Sequence, residues 1–545
     1  MTRWLLALGL VAGGLAGTGG IAAAETGPGI AIAADLPEPE GTQFMPGATN
    51  VVPATAVAAK SAQAITTGAG GTYTCPGFST VDDATPVSSI LQDTYTWGGF
   101  KPYKVGDGNG NVNWRLNPYN NPSWYMWLHS LRWLGQGITA AAQGDTAALD
   151  HVTTIVRDWV RDNPYSWKGD VGAWESTMHR TNVIICARQA VLAALGATTL
   201  PAQYSWLDAA LLDHAQFLVS NWSGAWNHGT DESIALFGVG CTLDRTDYMT
   251  LAQQRLDTGI TTSIDAEGST NEQSTAYAQF NYSLWGRAVD VLRACGVDPG
   301  TTIAARRALL ADWLTLATNS LGNLHQIGDS EVVRTAAVAG TPLEYAGSLG
   351  ATGTAPTERV GVFSAGYVFG RSGWGKFADQ SSYSIRYGPT RQLHGHSDHT
   401  SLTYTARGRD ILIDGGHSGY QNDVWRTWAK SPFAKAGEDT RTILFQVPYR
   451  QALPPGAILL KQAQTSPIQG WTYPNINTRL PAPTLMFARS GTTASILSFI
   501  APVRASGGVT YAPRWSGTTY VVDLSVAGVR TSIGVTAGGS LVRLT

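Results

Sequence analysis

Three histidines, His394, His396 and His399, lie close together in the stretch QLHGHSDHTSL, although the chain has only 10 histidines. His394 and His396 precede an apolar, β-branched run, so we expect both side chains on one face of a strand. Imidazole near neutral pH transfers protons or binds metal ions. Asp414, on the return strand after TARGRD, would supply the carboxylate of a zinc site. Loop histidines that form only hydrogen bonds are the alternative interpretation.

A second polar group is WNHGTDES, at residues 226–233. Asn227 and His228 both carry hydrogen-bond donors, which suits them to bind a carboxylate. An Asn-His-Gly sequence is also ordinary at a loop or a helix end. The motif alone therefore leaves both interpretations open.

The third group is STNEQSTAYAQFNYSLW, at residues 269–285. Ser269 and Glu272 fit the S-x-x-E capping box, which predicts that they begin a helix. Tyr282 either belongs to a buried apolar stripe with Trp285 or supplies a phenol for proton transfer.

The elements that must position these residues fall into two halves. From about 76 to 345 the pattern is helical, as in WLDAALLDHAQFLVSNW, where apolar residues recur at helical spacing. Several such runs end in Gly. This succession predicts stacked αα-hairpins, either a solenoid or a closed toroid.

The second half reads as short strands bounded by turn residues, as in AGYVFGRSGW, SSYSIRYG and SLTYTARGRDILIDGG. Helices followed by strands predict an α+β multidomain protein. We place a helical domain at 76–350 and an antiparallel β domain at 351–545. The boundary between domains is a natural place for a cleft. Residues 25–75 are rich in Ala, Gly, Pro and Thr and are expected to be a flexible segment.

The N-terminus MTRWLLALGLVAGGLAGTGGIAAAE predicts a signal peptide, residues 1–24, cut near Ala24. We therefore expect a secreted or periplasmic protein without a membrane anchor. The four cysteines then form up to two disulfides, with three possible connectivities. With 37 Lys+Arg against 39 Asp+Glu, the chain has no basic field to attract nucleic acid. The sequence leaves the oligomeric state open.

Together the three motifs resemble the heparinase II/III-like polysaccharide lyase superfamily, which includes heparin, heparan sulfate and alginate lyases. The resemblance begins at NVNWRLNPYNNPSWYMWLHSLRWLG, continues through WNHG and NEQSTAYAQFNY, and ends in HGHSDHTSL and ILIDGGHSGY. It implies an incomplete α/α toroid followed by an antiparallel β-sandwich. It also implies a secreted enzyme that cleaves an acidic, uronic-acid-containing polysaccharide by β-elimination.

Carried over to this chain, the resemblance implies that Asn227 and His228 neutralise the uronic carboxylate. Tyr282 is then the catalytic tyrosine, with Tyr277 as the competing choice, and His394 is the other proton-transfer residue. We further expect four residues to bind substrate: Trp174, Arg180, Tyr277 and Tyr420.

The metal site is where the chain departs from the family pattern. His396 and Asp414 match two zinc ligands of the sandwich, but Lys435-Ala436 stand where a His-Asn pair usually follows. A protonated lysine cannot coordinate zinc. Structural zinc therefore stays a possibility, and the elimination itself requires no cofactor.

Two other functions fit the same sequence. An α/α toroid also hosts inverting glycoside hydrolases, which need paired carboxylates across the scissile bond. The acids available for that role are Glu175, Asp231, Glu232 and Glu272. The remaining alternative is a secreted carbohydrate-binding protein whose catalytic site has decayed.

Overall fold

A computed structural model describes residues 6–11, 85–163, 173–388, 393–399, 401–431, 435–436, 442–447, 458–476, 478–487, 495–502 and 508–544. Its N-terminal part is helical and its C-terminal part consists of antiparallel sheets, which confirms the predicted fold class. The helices are α1 Val87–Ile90, α2 Pro122–His129, α3 Gly135–Ala142, α4 Thr146–Asp162, α5 Ala173–Ala194, α6 Trp206–Ser220, α7 Asn227–Thr242, α8 Thr246–Ser263, α9 Thr275–Ala294, α10 Gly300–Leu316, α11 Pro342–Gly347 and α12 Val424–Ala429.

The helices stack as predicted for an incomplete α/α toroid. Helices α3, α5, α7 and α9 pack side by side in that order, and each also packs against the helix that follows it. Their shared core is rich in buried aromatic side chains, among them Trp124, Trp133, Trp159, Trp285 and Trp313. Burial of such large apolar surfaces is the main force that holds the helical hairpins together.

Disulfides reinforce the helical region. A bond between Cys241 and Cys295 ties the C-terminal end of α7 to that of α9. Cys186, on α5, is also disulfide-bonded. Because α7 and α9 carry two of the sequence motifs, this cross-link fixes the helices that must hold the site.

The strands follow mostly after the helical region. They are β1 Leu6–Val11, β2 Thr94–Tyr95, β3 Tyr103–Lys104, β4 Val360–Phe363, β5 Tyr367–Arg371, β6 Ser381–Arg386, β7 Ser401–Ala406, β8 Arg409–Asp414, β9 Lys435–Ala436, β10 Thr442–Val447, β11 Ile458–Lys461, β12 Gln464–Thr465, β13 Ile468–Gln469, β14 Trp471–Asn475, β15 Thr478–Pro481, β16 Thr484–Phe487, β17 Ser495–Pro502, β18 Val509–Ser516, β19 Thr519–Val526, β20 Val529–Val535 and β21 Leu541–Arg543.

Three sheets form the layers of the sandwich. Strands β4 to β9 make a six-stranded sheet, β1, β17 and β10 make a three-stranded one, and β18 to β21 make a four-stranded one. Alternate residues of β17 face opposite sheets: Leu497 and Phe499 pack against β19 and β20, whereas Ile500 packs with Tyr404 and Ile411. This alternation follows from the period of two along a strand.

The predicted domain limit falls between the last helix of the toroid, which ends at Gly347, and β4, which begins at Val360. Within the described residues no helix combines the length and the apolar character that a membrane span requires. The segment predicted to be flexible lies outside the described residues, as does the predicted signal peptide apart from β1, which pairs antiparallel with β17. Cleavage near Ala24 would remove β1 and leave β17 paired with β10.

Candidate active site

Asn227 is the first residue of α7 and is almost completely buried. Its backbone N–H donates to Oε1 of Glu272 at 3.0 Å, and its side-chain Nδ2 donates to Oε2 at 2.5 Å. The loop before it is closely packed, because a Cβ at Gly229 would lie 1.8 Å from the carbonyl oxygen of Gly224. Only glycine at position 229 allows this close approach. Packing therefore explains the glycine of the WNHG motif, and hydrogen bonding explains its Asn and His.

The imidazole of His228 stacks on the indole of Trp226, two residues earlier in the chain. The rings of Trp226 and His228 have centroids 4.0 Å apart and planes 24° from parallel. Burial, followed by the nearby His394, lowers the pKa of His228 to about 3. The ring is therefore neutral near pH 7 and acts toward a ligand through a neutral N–H or lone pair.

Tyr277 occupies the first turn of α9. The helix begins at Thr275, and the side chain of Ser274 caps it by accepting from the N–H of Tyr277. The capping box predicted from Ser269 and Glu272 is therefore wrong, since Glu272 lies ahead of the helix. The cap thus holds the backbone of Tyr277, and its ring stacks on that of His394, with centroids 3.5 Å apart and planes 9° from parallel.

Tyr282 lies on another side of the same helix. Five residues at about 100° each place it roughly 140° round from Tyr277. Its ring belongs to the helical core and lies 4.4 Å from the guanidinium carbon of Arg307. The structure thus brings Tyr277, the competing choice, to His394 and places Tyr282 in the apolar stripe. Asn281, four residues after Tyr277, shares the site face and donates from Nδ2 to Oε1 of Glu272 at 2.8 Å.

His394 is held by backbone contacts across the domain boundary. Its N–H donates to the carbonyl of Glu272 at 3.1 Å, and its own carbonyl accepts from the N–H of Asp329 at 2.8 Å. Residues 393–399 are irregular, because β7 begins only at Ser401. The prediction that His394 and His396 lie on one face of a strand is therefore wrong, because both residues belong to a loop that is hydrogen-bonded to the helical domain.

The two histidines of the H-x-H pair meet at one carboxylate. His394 Nδ1 lies 3.1 Å from Oδ2 of Asp329, and His396 Nε2 lies 2.8 Å from Oδ1. Arg426 donates to both oxygens, at 2.5 and 2.7 Å. Burial raises the pKa of Asp329, but the charge of Arg426, with His417 and the hydrogen bonds from His394 and His396, outweighs it and holds that pKa well below its usual range.

Sequence reasoning missed Asp329 and Arg426. Asp329 follows a glycine in a loop after α10, and Arg426 lies in the short helix α12. Both environments are ordinary for exposed polar residues, so no spacing signal distinguishes them. Only their burial, at 1% and 8% exposure, reveals the bidentate ion pair.

Of the four predicted substrate-binding residues, Tyr277 and Tyr420 lie in this cluster. The hydroxyl of Tyr420 is hydrogen-bonded to that of Tyr277 and lies 3.3 Å from His394 Nδ1. Burial, with Tyr277 and Asp329 next in effect, raises the pKa of Tyr420 well above its usual value. The phenol therefore keeps its proton and can donate it in a hydrogen bond.

Arg180 does not fit the predicted binding role. It is fully buried in the helical core, where it donates to Nε2 of His214 at 3.0 Å and to the carbonyl of His129 at 2.8 Å. Its guanidinium also lies 3.6 Å from the ring centroid of Trp159. A side chain enclosed in this way supports packing and cannot reach a polymer. The side chain of Trp174, in the first turn of α5, lies outside the described residues.

The residues proposed for zinc do not complete a metal site. His396 Nδ1 is buried, has no hydrogen-bond partner within the described part of the chain, and lies 3.9 Å from Oδ1 of Asp414. Lys435 pairs with Asp414 between β8 and β9, but its side chain lies outside the described residues. Among the described residues no group of three or more His, Cys, Asp or Glu side chains could hold a metal ion. Zinc needs about four ligands, so the described set does not fit it.

Comparison with known proteins supports the motif resemblance. Residues 79–299 match the profile of the family described as Heparinase II/III N-terminus. This part of the chain is a heparinase II/III N-terminal domain. The domain carries Asn227, His228, Tyr277 and Tyr282, whereas His394 lies beyond the matched residues. No curated protein matches the chain.

Solved structures resemble both the heparinase II/III N-terminal domain and the sheets that follow it. A heparinase III is 14% identical, with a TM-score of 0.67 over 84% of this chain and 91% of that chain. A mutant heparan sulfate lyase from Pedobacter heparinus is 15% identical, with a TM-score of 0.57 over 86% of this chain and 90% of that chain. At these identities the likeness shows a shared fold.

Proposed function

We propose that this protein cleaves a uronic-acid polysaccharide by β-elimination. The observation that carries the proposal is the stacked pair of Tyr277 and His394, which the carboxylate of Glu272 links to Asn227 at the N-terminus of α7. A phenol and an imidazole next to a set of anion-binding donors supply the groups that this reaction needs. The family of the N-terminal domain and the fold of the named lyases support the same conclusion.

The carboxylate of the sugar is bound where α7 begins. Asn227 and His228 present side-chain hydrogen-bond donors, and a helix N-terminus carries partial positive charge that favours an anion. Withdrawal of the proton beside that carboxylate adds negative charge to it. Donors that are already in place stabilise this charge as it develops, which is how the site lowers the barrier.

Proton transfer falls to His394 and Tyr277. Asp329 accepts from Nδ1 of His394, which fixes the orientation of the imidazole. We propose that the imidazole of His394 takes the proton from C5 of the uronate. The C5–H electron pair forms the C4=C5 double bond, and the C4–O4 pair leaves with the oxygen, which takes a proton from Tyr277. The reaction consumes no water and needs no oxidant or reductant.

Three further features are part of the proposal. The signal sequence MTRWLLALGLVAGGLAGTGGIAAAE indicates export, so the enzyme meets its polymer outside the cell or in the periplasm. The reaction requires no cofactor. Because the net charge is only −2, a non-sulfated polyuronate such as alginate or glucuronan is preferred to heparin.

A substrate panel tests the reaction. The chain is incubated with alginate, glucuronan, hyaluronan, heparan sulfate and chondroitin, and ultraviolet absorbance and reducing ends are followed together. At least one polymer should yield an unsaturated, absorbing end. Reducing ends without absorbance would indicate a hydrolase, and binding without either product would indicate a carbohydrate-binding protein.

The structure gives little support to the hydrolase alternative. Asp231, Glu232 and Glu272 are each at most 2% exposed and bonded to neighbours in the helical domain. Paired acids must reach both sides of a scissile bond, which these three cannot do in this arrangement. The side chain of Glu175 lies outside the described residues.

A further inference from the structure

Glu272 is a fully buried acid at the centre of the candidate site. Its two oxygens accept three hydrogen bonds from amide groups: the backbone N–H and Nδ2 of Asn227, and Nδ2 of Asn281. Burial raises the pKa of Glu272, while His394 and these amides oppose that rise. A buried acid costs free energy unless its bonds are satisfied, so its retention here calls for a reason.

Glu272 is also held by His394, which belongs to the sandwich domain. The N–H of His394 donates to the carbonyl of Glu272, and Nε2 of His394 lies 3.7 Å from Oε2. Just beyond Glu272, the chain is packed so closely that a Cβ at Gly328 would lie 2.4 Å from the carbonyl oxygen of Gln273. The carboxylate therefore has little freedom to move, and it presents a fixed acceptor to Asn227.

We propose that Glu272 is a positioning residue that decides which end of the Asn227 amide faces the substrate. This inference rests on the proposed function. An ionised carboxylate accepts hydrogen bonds and donates none, so it holds the NH2 end of Asn227 and leaves the second N–H of that group for a substrate oxygen. A glutamine at position 272 could also donate, which would permit the flipped amide, whose carbonyl repels the substrate carboxylate.

A double-mutant cycle tests this coupling. Glu272→Gln is measured alone and in an Asn227→Ala background, using whichever polymer of the panel the wild-type chain cleaves, with glucuronan and alginate tried first. We expect kcat/KM to fall at least about tenfold in the first case and less than about twofold in the second, because the effect passes through Asn227. A purely structural role would give equal losses in both backgrounds.

Glu267→Gln is the matched control. Glu267 lies in the same loop region and accepts from the N–H and hydroxyl of Ser364 at 2.6 Å. Within the described part of the chain it forms no hydrogen bond with Asn227. Its effect should be the same in both backgrounds. If Glu272→Gln does not fold, Glu272→Asp replaces it, because the shorter side chain also withdraws the acceptor from Asn227 and should show the same coupling.

The outcomes separate this inference from the proposed function. Equal losses from the Glu272 change in both backgrounds, or no loss at all, in an enzyme that makes the unsaturated product would overturn the positioning role alone. A wild-type chain that yields no unsaturated product from any polymer would overturn both. Loss confined to the background that retains Asn227 supports the inference.

Discussion

The phenol of Tyr277 lies parallel to the imidazole of His394, with ring centroids 3.5 Å apart, although the two residues belong to different domains. Tyr420 bonds to both, through the Tyr277 hydroxyl and at 3.3 Å from His394 Nδ1. The two proton-transfer groups are therefore adjacent and joined through a third side chain. Such contact requires the helical domain and the sandwich to be docked before the site exists.

The first prediction distinguishes the two tyrosines. Tyr277→Phe should lower turnover by at least about a hundredfold, the usual scale for a general acid or base, because it removes the phenolic proton but keeps the ring on His394. Tyr282→Phe is the matched control and should retain near wild-type turnover, since its ring packs in the helical core. Initial rates of ultraviolet absorbance and melting temperatures check both variants. An inactive Tyr282→Phe beside an active Tyr277→Phe would reverse the assignment.

The second prediction separates His394 from His396. His394→Ala should abolish turnover, because it removes the basic nitrogen. His396→Ala should mainly lower stability, since it leaves Asp329 and Asp414 with fewer partners in the interior, at a cost of about 1–3 kcal/mol. Urea unfolding and kinetics of both variants provide the measurements. His399 is exposed, and His399→Ala serves as the control that should change neither. A stable and fully active His394→Ala variant would contradict these roles.

The third prediction concerns the metal. Because Lys435 stands where the family pattern has a histidine ligand, and a protonated lysine cannot coordinate zinc, we expect a chelator to leave both turnover and melting temperature unchanged. Elemental analysis of purified protein should find far less than one zinc per chain. One zinc per chain, lost in His396→Ala, would instead assign His396 and Asp414 as ligands and imply a further ligand from the residues around Lys435.

The fourth prediction is a pH dependence of stability. Glu232 is buried and accepts from the N–H and hydroxyl of Ser223 at 2.8 and 2.5 Å, and burial raises its pKa to about 7 from an ordinary value of 4.5. The unfolded chain ionises first, so the folded state loses stability as the pH rises from 4.5 to about 7, by up to about 3 kcal/mol. Glu232→Gln has no such proton to lose. Urea unfolding at several pH values should show that the free energy of unfolding of the variant rises relative to that of the wild type over this range. A difference between the two that does not change with pH would contradict the assignment.

The sequence by itself determined the order of the elements and the three motifs. Helical spacing in runs such as WLDAALLDHAQFLVSNW and short β-branched runs such as SLTYTA are local properties, because the periods 3.6 and 2 set which side chains can be buried. The same local information located Asn227, His228 and His394. It also left Tyr277 and Tyr282 as competing choices, since both lie in one helical run.

Only the tertiary structure decided between these tyrosines and identified their partners. The direction in which a helix face points depends on what packs against it, and His394 reaches Tyr277 from a loop far along the chain. Asp329 and Arg426 carry no spacing signal, and the spacing of Glu272 predicted a helix start instead of its bonds to Asn227, because these bonds join segments distant in sequence. Arg180, a plausible ligand for an acidic polymer, is instead enclosed beside Trp159. Long-range contacts of this kind arise from packing as a whole, so local sequence patterns cannot specify them.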